Sequence, residues 1–434
     1  MPGKPMVCWA FSYICDVIKT VFCMKRMKFI MSMFGFASLS CLLTIGCKPK
    51  MSTQKVDKDS VTVLNMRLDK VAQDFLDSRA PSAKDSALVQ QTNNRMAFQL
   101  FKQLFNKTSK KSVFLSPQGL TYALSIINDG AVGDTRKAFE RVLGFDNSLQ
   151  MRVLQHEMML SQAYRGHGKQ EPKWSFAEVA NTIDVPDGLV LSPAFKENAT
   201  KYYFASMRSV EKQNITLTSE VRFHGFWKYP FDAADTEPDA PFFDGEQKIA
   251  EVQMMHNTLR QLLYYDAGDF RILQIPYTAG YHMYVLLPKE GVVLAKVVRQ
   301  LDTKSWGLLQ KNMHKMAQVE LALPRMALET SYTLNDYLVS MGLGIAFGVA
   351  ADFSKMTEGQ VPLYIKEVKQ KSKLIVAEKK TEAQSVTTAE IAVLSATVEN
   401  PRPDQVKFYC DHPFAYVITD KYGSVNFVGT FWGK

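Results

Sequence analysis

The segment Val376–Phe414 constrains the fold most, because it has the pattern of a β-strand and no hairpin partner beside it in the sequence. From Thr381 to Val393, one alternate set of residues is small or apolar and the other set carries the charges. The first set is Thr381, Ala383, Ser385, Thr387, Ala389, Ile391 and Val393, and the second includes Glu382, Gln384, Thr388 and Glu390. This period of two predicts a strand with one buried face and one wet face.

The end of the same segment has a different character. Residues Glu399–Asp404 are rich in proline and charge, which is typical of a surface loop. The small residues at the start of the strand pattern suit entry into a crowded position. A segment that can be either loop or strand predicts a conformational switch.

A series of short motifs, in order along the chain, resembles the serpin family. The motifs are Phe114–Pro117, Ala123–Gly144, Phe223–Asp232, Val252–His256, Leu287–Gly291, Leu323–Arg325, Ala351–Ser354, Thr381–Ala383, Asp411–Phe414 and Asn426–Gly429. Together they cover about residues 86–434, and their order makes the resemblance far more specific than any one tripeptide.

The resemblance implies an α+β fold with a large mixed or antiparallel central sheet, two further sheets and about eight helices. No low-complexity linker or internal repeat divides the region after residue 90, so one domain over residues 86–434 is expected. With 46% hydrophobic and 22% charged residues, the chain can bury a substantial core.

Serpins trap proteases by being cleaved in an exposed loop, which then inserts as a strand into an existing sheet. The resemblance therefore implies a serine protease inhibitor that acts as a suicide substrate. The implied hinge residues are Glu378, Thr381, Glu382, Ala383, Ser385 and Thr387. Inward-facing hinge positions must be small and uncharged, because burial of an unpaired charge costs several kcal/mol, and the alternate set from Thr381 meets this demand.

The reactive bond follows from the family's usual spacing. Counting sixteen residues from the hinge residue Glu378 gives Leu394–Ser395, which suits chymotrypsin-, elastase- or subtilisin-like proteases, with cysteine proteases as further candidates. Counting back from Val406 instead moves the bond toward Asn400, because the distal side is about five residues longer than is common in the family. Arg402 would suit a trypsin-like target but lies too far along for efficient insertion.

Five departures from the family pattern bear on inhibition. Lys380 stands where inhibitory hinges usually have glycine, which reduces backbone freedom at the pivot. At the centre of the main sheet Ser219, Gln370 and Gly119 replace the usual residues while Ser116 remains, and Ser116, Ser219 and Gln370 are predicted to form a polar cluster. The fifth departure is a gap, since only Lys212–Thr216 stands where the family has some 40 more residues, so the helix over the main sheet is predicted to be missing.

The N-terminus has the pattern of an export signal. Basic residues at 25–28 precede the apolar run Phe29–Ile45, and Cys47 follows at once, as in a bacterial lipobox. Residues 1–46 are predicted to be a leader, with 1–23 an extension before the true start and 24–46 a lipoprotein signal peptide. Cys47 is the predicted lipidation site and 47–85 a tether. Thr44 departs from the lipobox preference for leucine, so plain secretion stays open.

Charge and cysteine content restrict the partners. Residues 1–46 account for +4 of the net +9, which leaves about +5 spread without a dense basic run, so no nucleic-acid binding is expected. Cys410 is the only cysteine after Cys47, so no disulfide can form within the domain. The protein is expected to be a monomer, and the predicted lipid on Cys47 would hold it to a membrane.

An enzyme is the weaker interpretation. The chain has no G-x-S-x-G elbow, and His156-Glu157 lacks a second histidine because Leu160 stands in that position. The seven histidines are scattered, so no metal site and no cofactor are expected. The alternative to an inhibitor is a non-inhibitory serpin-like binding protein that proteases cleave as an ordinary substrate.

Overall fold

The computed structural model describes residues 83–108, 110–163, 174–211, 214–359, 361–378 and 405–434. Eight α-helices lie in these residues, numbered in chain order: α1 Ala83–Lys107, α2 Pro117–Gly130, α3 Gly133–Leu143, α4 Leu149–Gln162, α5 Pro193–Tyr203, α6 Leu294–Gln300, α7 Thr303–Asn312 and α8 Asn335–Leu338. Helix α1 begins three residues before the predicted domain start at 86, and the predicted leader and tether boundaries stay predictions.

Sixteen strands of the described residues, also numbered in chain order, form three sheets. The five-stranded sheet has the order β12 (Met326–Thr333), β13 (Ile365–Val376), β4 (Ile215–His224), β2 (Phe176–Pro186), β3 (Ser206–Val210). The four-stranded sheet has the order β14 (Gln405–Tyr409), β11 (Gln318–Pro324), β6 (Gln247–Leu259), β5 (Thr236–Asp244). The seven-stranded sheet has the order β1 (Val113–Leu115), β16 (Val425–Phe431), β15 (Phe414–Thr419), β9 (His282–Pro288), β8 (Phe270–Pro276), β7 (Leu263–Asp266), β10 (His314–Lys315).

The predicted α+β fold, with three sheets and about eight helices, is confirmed for the described residues. The seven-stranded sheet is the largest by strand count, and the other two sheets are mixed. In the five-stranded sheet, β4 is parallel to β13 and β2 is parallel to β3, whereas the other two neighbouring pairs are antiparallel. In the four-stranded sheet only β11 and β14 are parallel.

Helix α2 lies under the five-stranded sheet and is buried along almost its whole length. Ser116 caps its N-terminus, since the side-chain oxygen accepts a hydrogen bond from the Gly119 amide, and Pro117 occupies the first turn, where a missing N–H does no harm. Because the helix is fixed in the core, its first turn gives the sheet a rigid floor.

An aromatic cluster joins the sheets beside this helix. Phe114 of β1 stacks on Phe427 of β16 with ring centroids 5.2 Å apart, and Phe223 of β4 contacts Phe427 at 5.4 Å. All three rings are buried, and such aromatic pairs add to the stability that burial itself provides. The inner face of β4 is therefore fastened to the seven-stranded sheet.

The connection from β3 to β4 is only four residues long, 211–214. These two strands flank β2, so the connection has to pass only the end of one strand, roughly 10 Å, and four residues can reach that far. The predicted gap-filling segment Lys212–Thr216 is thus partly strand, because Ile215 and Thr216 already belong to β4. No room for a helix is left between Val210 and Ile215.

Candidate functional site: the β4–β13 seam and its hinge

The parallel pair β4 and β13, here called the seam, is the structural centre of the candidate site. Nine residue pairs are in register, from Ile365 opposite Ile215 to Leu374 opposite Phe223. The seam is closed, because the two strands are hydrogen-bonded to each other directly. A strand entering between two parallel neighbours can be antiparallel to both, so the seam is a geometrically suitable acceptor for one more strand.

The hinge leaves β13 at the end of the seam where Phe223 and Leu374 pair. Glu378, two residues after β13, is buried, with 6% of its surface exposed. Its carboxylate oxygen Oε1 accepts hydrogen bonds from Thr236 Oγ1 at 2.6 Å and from Arg325 Nε at 2.8 Å. A second guanidinium nitrogen of Arg325 also donates to this oxygen, so the predicted hinge residue is fixed by a charge-assisted pair.

Arg325 is itself held in place by a neighbouring strand. Its Nη1 donates to Gln253 Oε1 at 2.6 Å, and its backbone amide donates to the Gln253 carbonyl at 2.8 Å. Burial disfavours the charged form of Glu378, but the hydrogen bonds from Arg325 and Thr236 outweigh it and lower the pKa of this carboxyl below its ordinary value. The carboxylate is therefore ionised at neutral pH and bound to the four-stranded sheet side of the molecule.

Backbone contacts hold the hinge as well. Trp227 Nε1 donates to the Ala377 carbonyl at 2.8 Å, and the Phe231 amide donates to the Glu378 carbonyl at 3.1 Å. The Trp227 ring is fixed by stacking on Tyr277, with centroids 4.0 Å apart. The motif Phe223–Asp232 thus fastens the start of the loop, a role that its sequence alone did not reveal.

The centre of the seam carries the predicted polar cluster on its buried face. The Ser116 amide donates to Gln370 Oε1 at 2.9 Å, and Gln370 Nε2 donates back to the Ser116 carbonyl at 2.6 Å. Ser116 Oγ donates to the Asn426 carbonyl at 2.8 Å. The structure therefore brings Ser116 and Gln370 together, and it adds Asn426, which the sequence did not suggest.

Ser219, the third predicted member, lies directly opposite Gln370 but makes no side-chain hydrogen bond with it. Among the described residues, Ser219 Oγ and both polar atoms of the neighbouring Asn181 side chain are buried without a hydrogen-bond partner. A buried unpaired polar group typically costs about 1–3 kcal/mol. Buried polar groups at the centre of the closed sheet therefore have fewer hydrogen-bond partners than those at its hinge end.

Gly119 explains part of the altered cluster. A Cβ atom at this position would clash with Val221 Cγ2 and lie 3.0 Å from Ser219 Oγ. The close approach of α2 to β4 therefore requires glycine in the closed sheet, and the departure at this position is a packing requirement.

The distal end of the loop returns as β14, which pairs in parallel with β11. Arg271 Nη1 donates to the Lys407 carbonyl at 2.9 Å, and its guanidinium lies 5.5 Å from the Phe408 ring centroid. Cys410 follows and is a buried free thiol whose pKa is raised well above its ordinary value by burial. This agrees with a packing role for Cys410, because a nucleophilic thiol needs a lowered pKa.

The outer face of the five-stranded sheet is polar and largely exposed. Lys371 Nζ lies 3.0 Å from Glu220 Oε1 across the seam, and Arg208 Nε lies 2.8 Å from Asp184 Oδ1 between β3 and β2. Ala180 and Lys373 on the same face are also exposed. A face covered by a helix would carry apolar residues, so these side chains match the short connection between β3 and β4.

Several predicted site residues lie outside the described residues. They are the hinge residues Thr381, Glu382, Ala383, Ser385 and Thr387, the reactive bond Leu394–Ser395 and the lipidation site Cys47. The sequence analysis missed Arg325 and Thr236, although the motif Leu323–Arg325 was noted, because nothing local shows that its arginine reaches Glu378.

In the described ranges, no group of three or more His, Cys, Asp or Glu side chains has the geometry of a metal site. Within the same ranges, none of the helices combines the length and the apolar character that a membrane span needs.

The comparisons with known proteins all point to one protein family. A family model described as Serpin (serine protease inhibitor) matches residues 91–216 and 211–433. A serpin-like protein of Methanosarcina acetivorans is 25% identical over 380 residues, covering 79% of this chain and 86% of that protein. Iripin-8 of Ixodes ricinus is 25% identical over 387 residues, with 80% and 94% covered.

Solved structures share the fold. The native state of the thermophilic serpin tengpin matches with a TM-score of 0.69 and 22% identity, covering 82% of this chain and 96% of that chain. Human thyroxine-binding globulin in complex with thyroxine matches with a TM-score of 0.69 and 22% identity, covering 80% and 98%. At these identities the likeness concerns the fold alone.

Proposed function

Because this chain belongs to the serpin family, whose members are generally protease inhibitors, we propose that it is a suicide-substrate inhibitor of serine proteases. The observation that carries this proposal is the closed parallel seam with the loop hinge fastened at one end of it. The hinge sequence adds the small, uncharged alternate set that begins at Thr381.

The covalent step uses the protease's own chemistry. The protease serine oxygen attacks the carbonyl carbon of Leu394, the peptide bond to Ser395 breaks, and the new amine of Ser395 takes up a proton and leaves. The product is an ester between the protease and Leu394. Inhibition requires the loop to insert before water hydrolyses this ester.

Insertion exchanges one ladder of hydrogen bonds for two. The direct β4–β13 pairing is lost, and the entering strand pairs with β4 on one side and β13 on the other. About fourteen residues at ~3.3 Å each make a strand of roughly 45 Å, which carries the bound protease far across the sheet. Small inward residues allow this strand to pass over the first turn of α2, where Gly119 already lies close to Val221 of β4.

Target preference follows from the reactive bond. Leucine at 394 fits the apolar specificity pocket of chymotrypsin-, elastase- or subtilisin-like proteases, and cysteine proteases are further candidates because they attack the same carbonyl. Cleavage nearer Asn400 is the alternative set by the long distal segment. Peptide mass after brief exposure to chymotrypsin distinguishes the two positions.

The proposed location is the bacterial cell envelope, where a monomer is held by a lipid on Cys47, with plain secretion as the alternative. The basic and apolar leader followed by this cysteine supports export. A Cys47→Ser variant should move from the membrane fraction to the soluble fraction, and an unchanged distribution would contradict the anchor.

The decisive experiment is incubation with chymotrypsin and with elastase, followed by denaturing gel electrophoresis. An inhibitor gives an adduct that survives SDS. Thr381→Arg should abolish the adduct while cleavage continues, because the arginine would have to be buried. Glu382→Arg is the matched control, since its side chain stays on the wet face and the adduct should persist.

The second candidate is a non-inhibitory binding protein, and Lys380 at the pivot is the observation that favours it. Human thyroxine-binding globulin, which has this fold, is an example of a family member crystallised with a small ligand. Clean cleavage near Leu394 without any adduct would support this candidate over the inhibitor.

A further inference from the structure

Two cations face each other across the seam next to the hinge. Arg222 of β4 and Lys373 of β13 are partners in the parallel register, and both are exposed on the outer face. They form the last outward-facing pair of the seam, because the next pair, Phe223 and Leu374, points inward and ends the register. Among the described residues, neither cation forms an ion pair.

Each of the two cations has a carboxylate as its register partner on the neighbouring strand away from the seam, and the four residues form one row across the sheet. Glu178 of β2 is the register partner of Arg222, and Glu329 of β12 is the register partner of Lys373. Glu178 lies 3.2 Å from His224 Nε2. Across the sheet the row therefore has the charges minus, plus, plus, minus, with the seam between the two positive charges.

The next row along the seam has the opposite character. Glu220 of β4 and Lys371 of β13 are also register partners, and their side chains form an ion pair with 3.0 Å between Oε1 and Nζ. Lys371 and Lys373 thus lie two residues apart on one face of one strand. Lys371 forms an ion pair across the seam, whereas Lys373 faces the like charge of Arg222.

We propose that the Arg222–Lys373 pair makes the seam easier to open at its hinge end, while Glu220–Lys371 holds the adjacent row closed. This inference rests on the proposed function, because it concerns the entry of a strand into the seam. Neighbouring strands lie about 4.8 Å apart, and an inserted strand doubles that separation. Like charges directly opposite each other are unfavourable and opposite charges are favourable. Entry of a strand therefore relieves the repulsion between Arg222 and Lys373 and breaks the ion pair between Glu220 and Lys371.

The position of the like-charged pair gives it a kinetic role. A strand that enters from the hinge separates the Arg222–Lys373 row before it reaches Glu220–Lys371. Because both cations are exposed, water and salt screen their repulsion, so the expected effect on strand entry is modest and depends on ionic strength. Arg222 and Lys373 are therefore positioning residues for strand entry.

The test uses the full protein and a fluorescently labelled synthetic peptide with the sequence of residues 381–394, whose incorporation rate is followed on native gels. Lys373→Gln and Arg222→Gln should each slow incorporation by up to about five-fold. The double variant should be no slower than either single variant, because the first change already removes the pair. Lys371→Gln should speed incorporation by a similar factor.

Two controls separate electrostatics from general damage. Lys315→Gln in β10 changes the net charge equally at an exposed lysine of another sheet, and it should leave the rate unchanged. The difference between wild type and Lys373→Gln should shrink in 1 M NaCl, where the Debye length is about 3 Å.

The outcomes are distinct. Equal rates for wild type, Lys373→Gln and Lys371→Gln, or additive slowing in the double variant, would overturn the inference while peptide uptake still supports an openable sheet. If no variant, including wild type, takes up the peptide, the insertion step of the proposed function fails and the inference fails with it. A protease adduct is measured separately and tests only the trapping step.

Discussion

At the hinge end of the seam, Glu378 is bound by Arg325 and Thr236, whereas at its centre Ser219 faces Gln370 without a side-chain hydrogen bond to it. The hinge contacts reach across to other elements and involve a full charge. The central contacts are neutral and leave buried polar atoms unpaired among the described residues. The comparison indicates that the hinge residue is held by its neighbours more firmly than the polar side chains in the middle of the closed sheet.

The largest expected effect comes from removing the arginine at the hinge. Arg325→Ala leaves the Glu378 carboxylate buried without its cation, and because the arginine is itself partly exposed we expect a loss of about 2 kcal/mol in the free energy of unfolding. Urea unfolding at pH 7 measures it. Arg325→Lys, which keeps the charge, should lose less, and equal losses would show that the charge does not matter.

The next effect probes the packing at the centre. Gly119→Ala should destabilise the closed form by about 1–2 kcal/mol, because the new methyl group meets Val221 and overpacking outweighs the gain in helix propensity. The double variant with Val221→Ala should be more stable than the sum of the two single losses predicts. Strict additivity in thermal unfolding would contradict the close approach.

A smaller effect compares the two serines of the central cluster. Ser116→Ala removes the cap of α2 and the hydrogen bond to the Asn426 carbonyl, so we expect a loss of about 1 kcal/mol. Ser219→Ala removes a buried hydroxyl that has no hydrogen-bond partner, so it should raise the free energy of unfolding, by about 1 kcal/mol. A loss at Ser219 would mean that its hydroxyl has a partner in solution.

The smallest effect is the pH dependence of the hinge. The pKa of Glu378 is lowered in the folded protein, so its contribution is present above the ordinary value of 4.5 and is lost as the pH falls through the folded pKa. The difference in unfolding free energy between wild type and Glu378→Gln should shrink, by less than about 1 kcal/mol, from pH 7 to pH 3.5. A difference that grows toward acid pH would contradict this sign.

The resemblance to the serpin family, and no local spacing, predicted Glu378 at the hinge and placed Ser116 and Gln370, 254 residues apart, in one cluster. The structure brings Ser116 and Gln370 together, whereas the hinge role of Glu378 stays a prediction. Their partners were not predictable in the same way. Arg325 lies 53 residues from Glu378, and no local pattern shows that two such distant side chains will meet.

The charge rows of the outer face illustrate the same limit. The alternation of lysines with buried residues in β13 is readable from the sequence as a strand with one exposed face. Which residue of β4 lies opposite each lysine depends on the register of two parallel strands about 150 residues apart. A shift of one residue would have turned every side chain to the other face, so only the folded sheet shows that Lys373 faces Arg222.

The four-residue connection between β3 and β4 has a mechanical consequence. It keeps β3, β2 and β4 together as one rigid group of strands. Strands β12 and β13 form a second group, which their long antiparallel pairing holds together. When the sheet widens, these two groups separate at the seam between β4 and β13. The connection between β3 and β4 is too short to cross the seam. The distance between two probes, one on each group of strands, would report the opening of the seam.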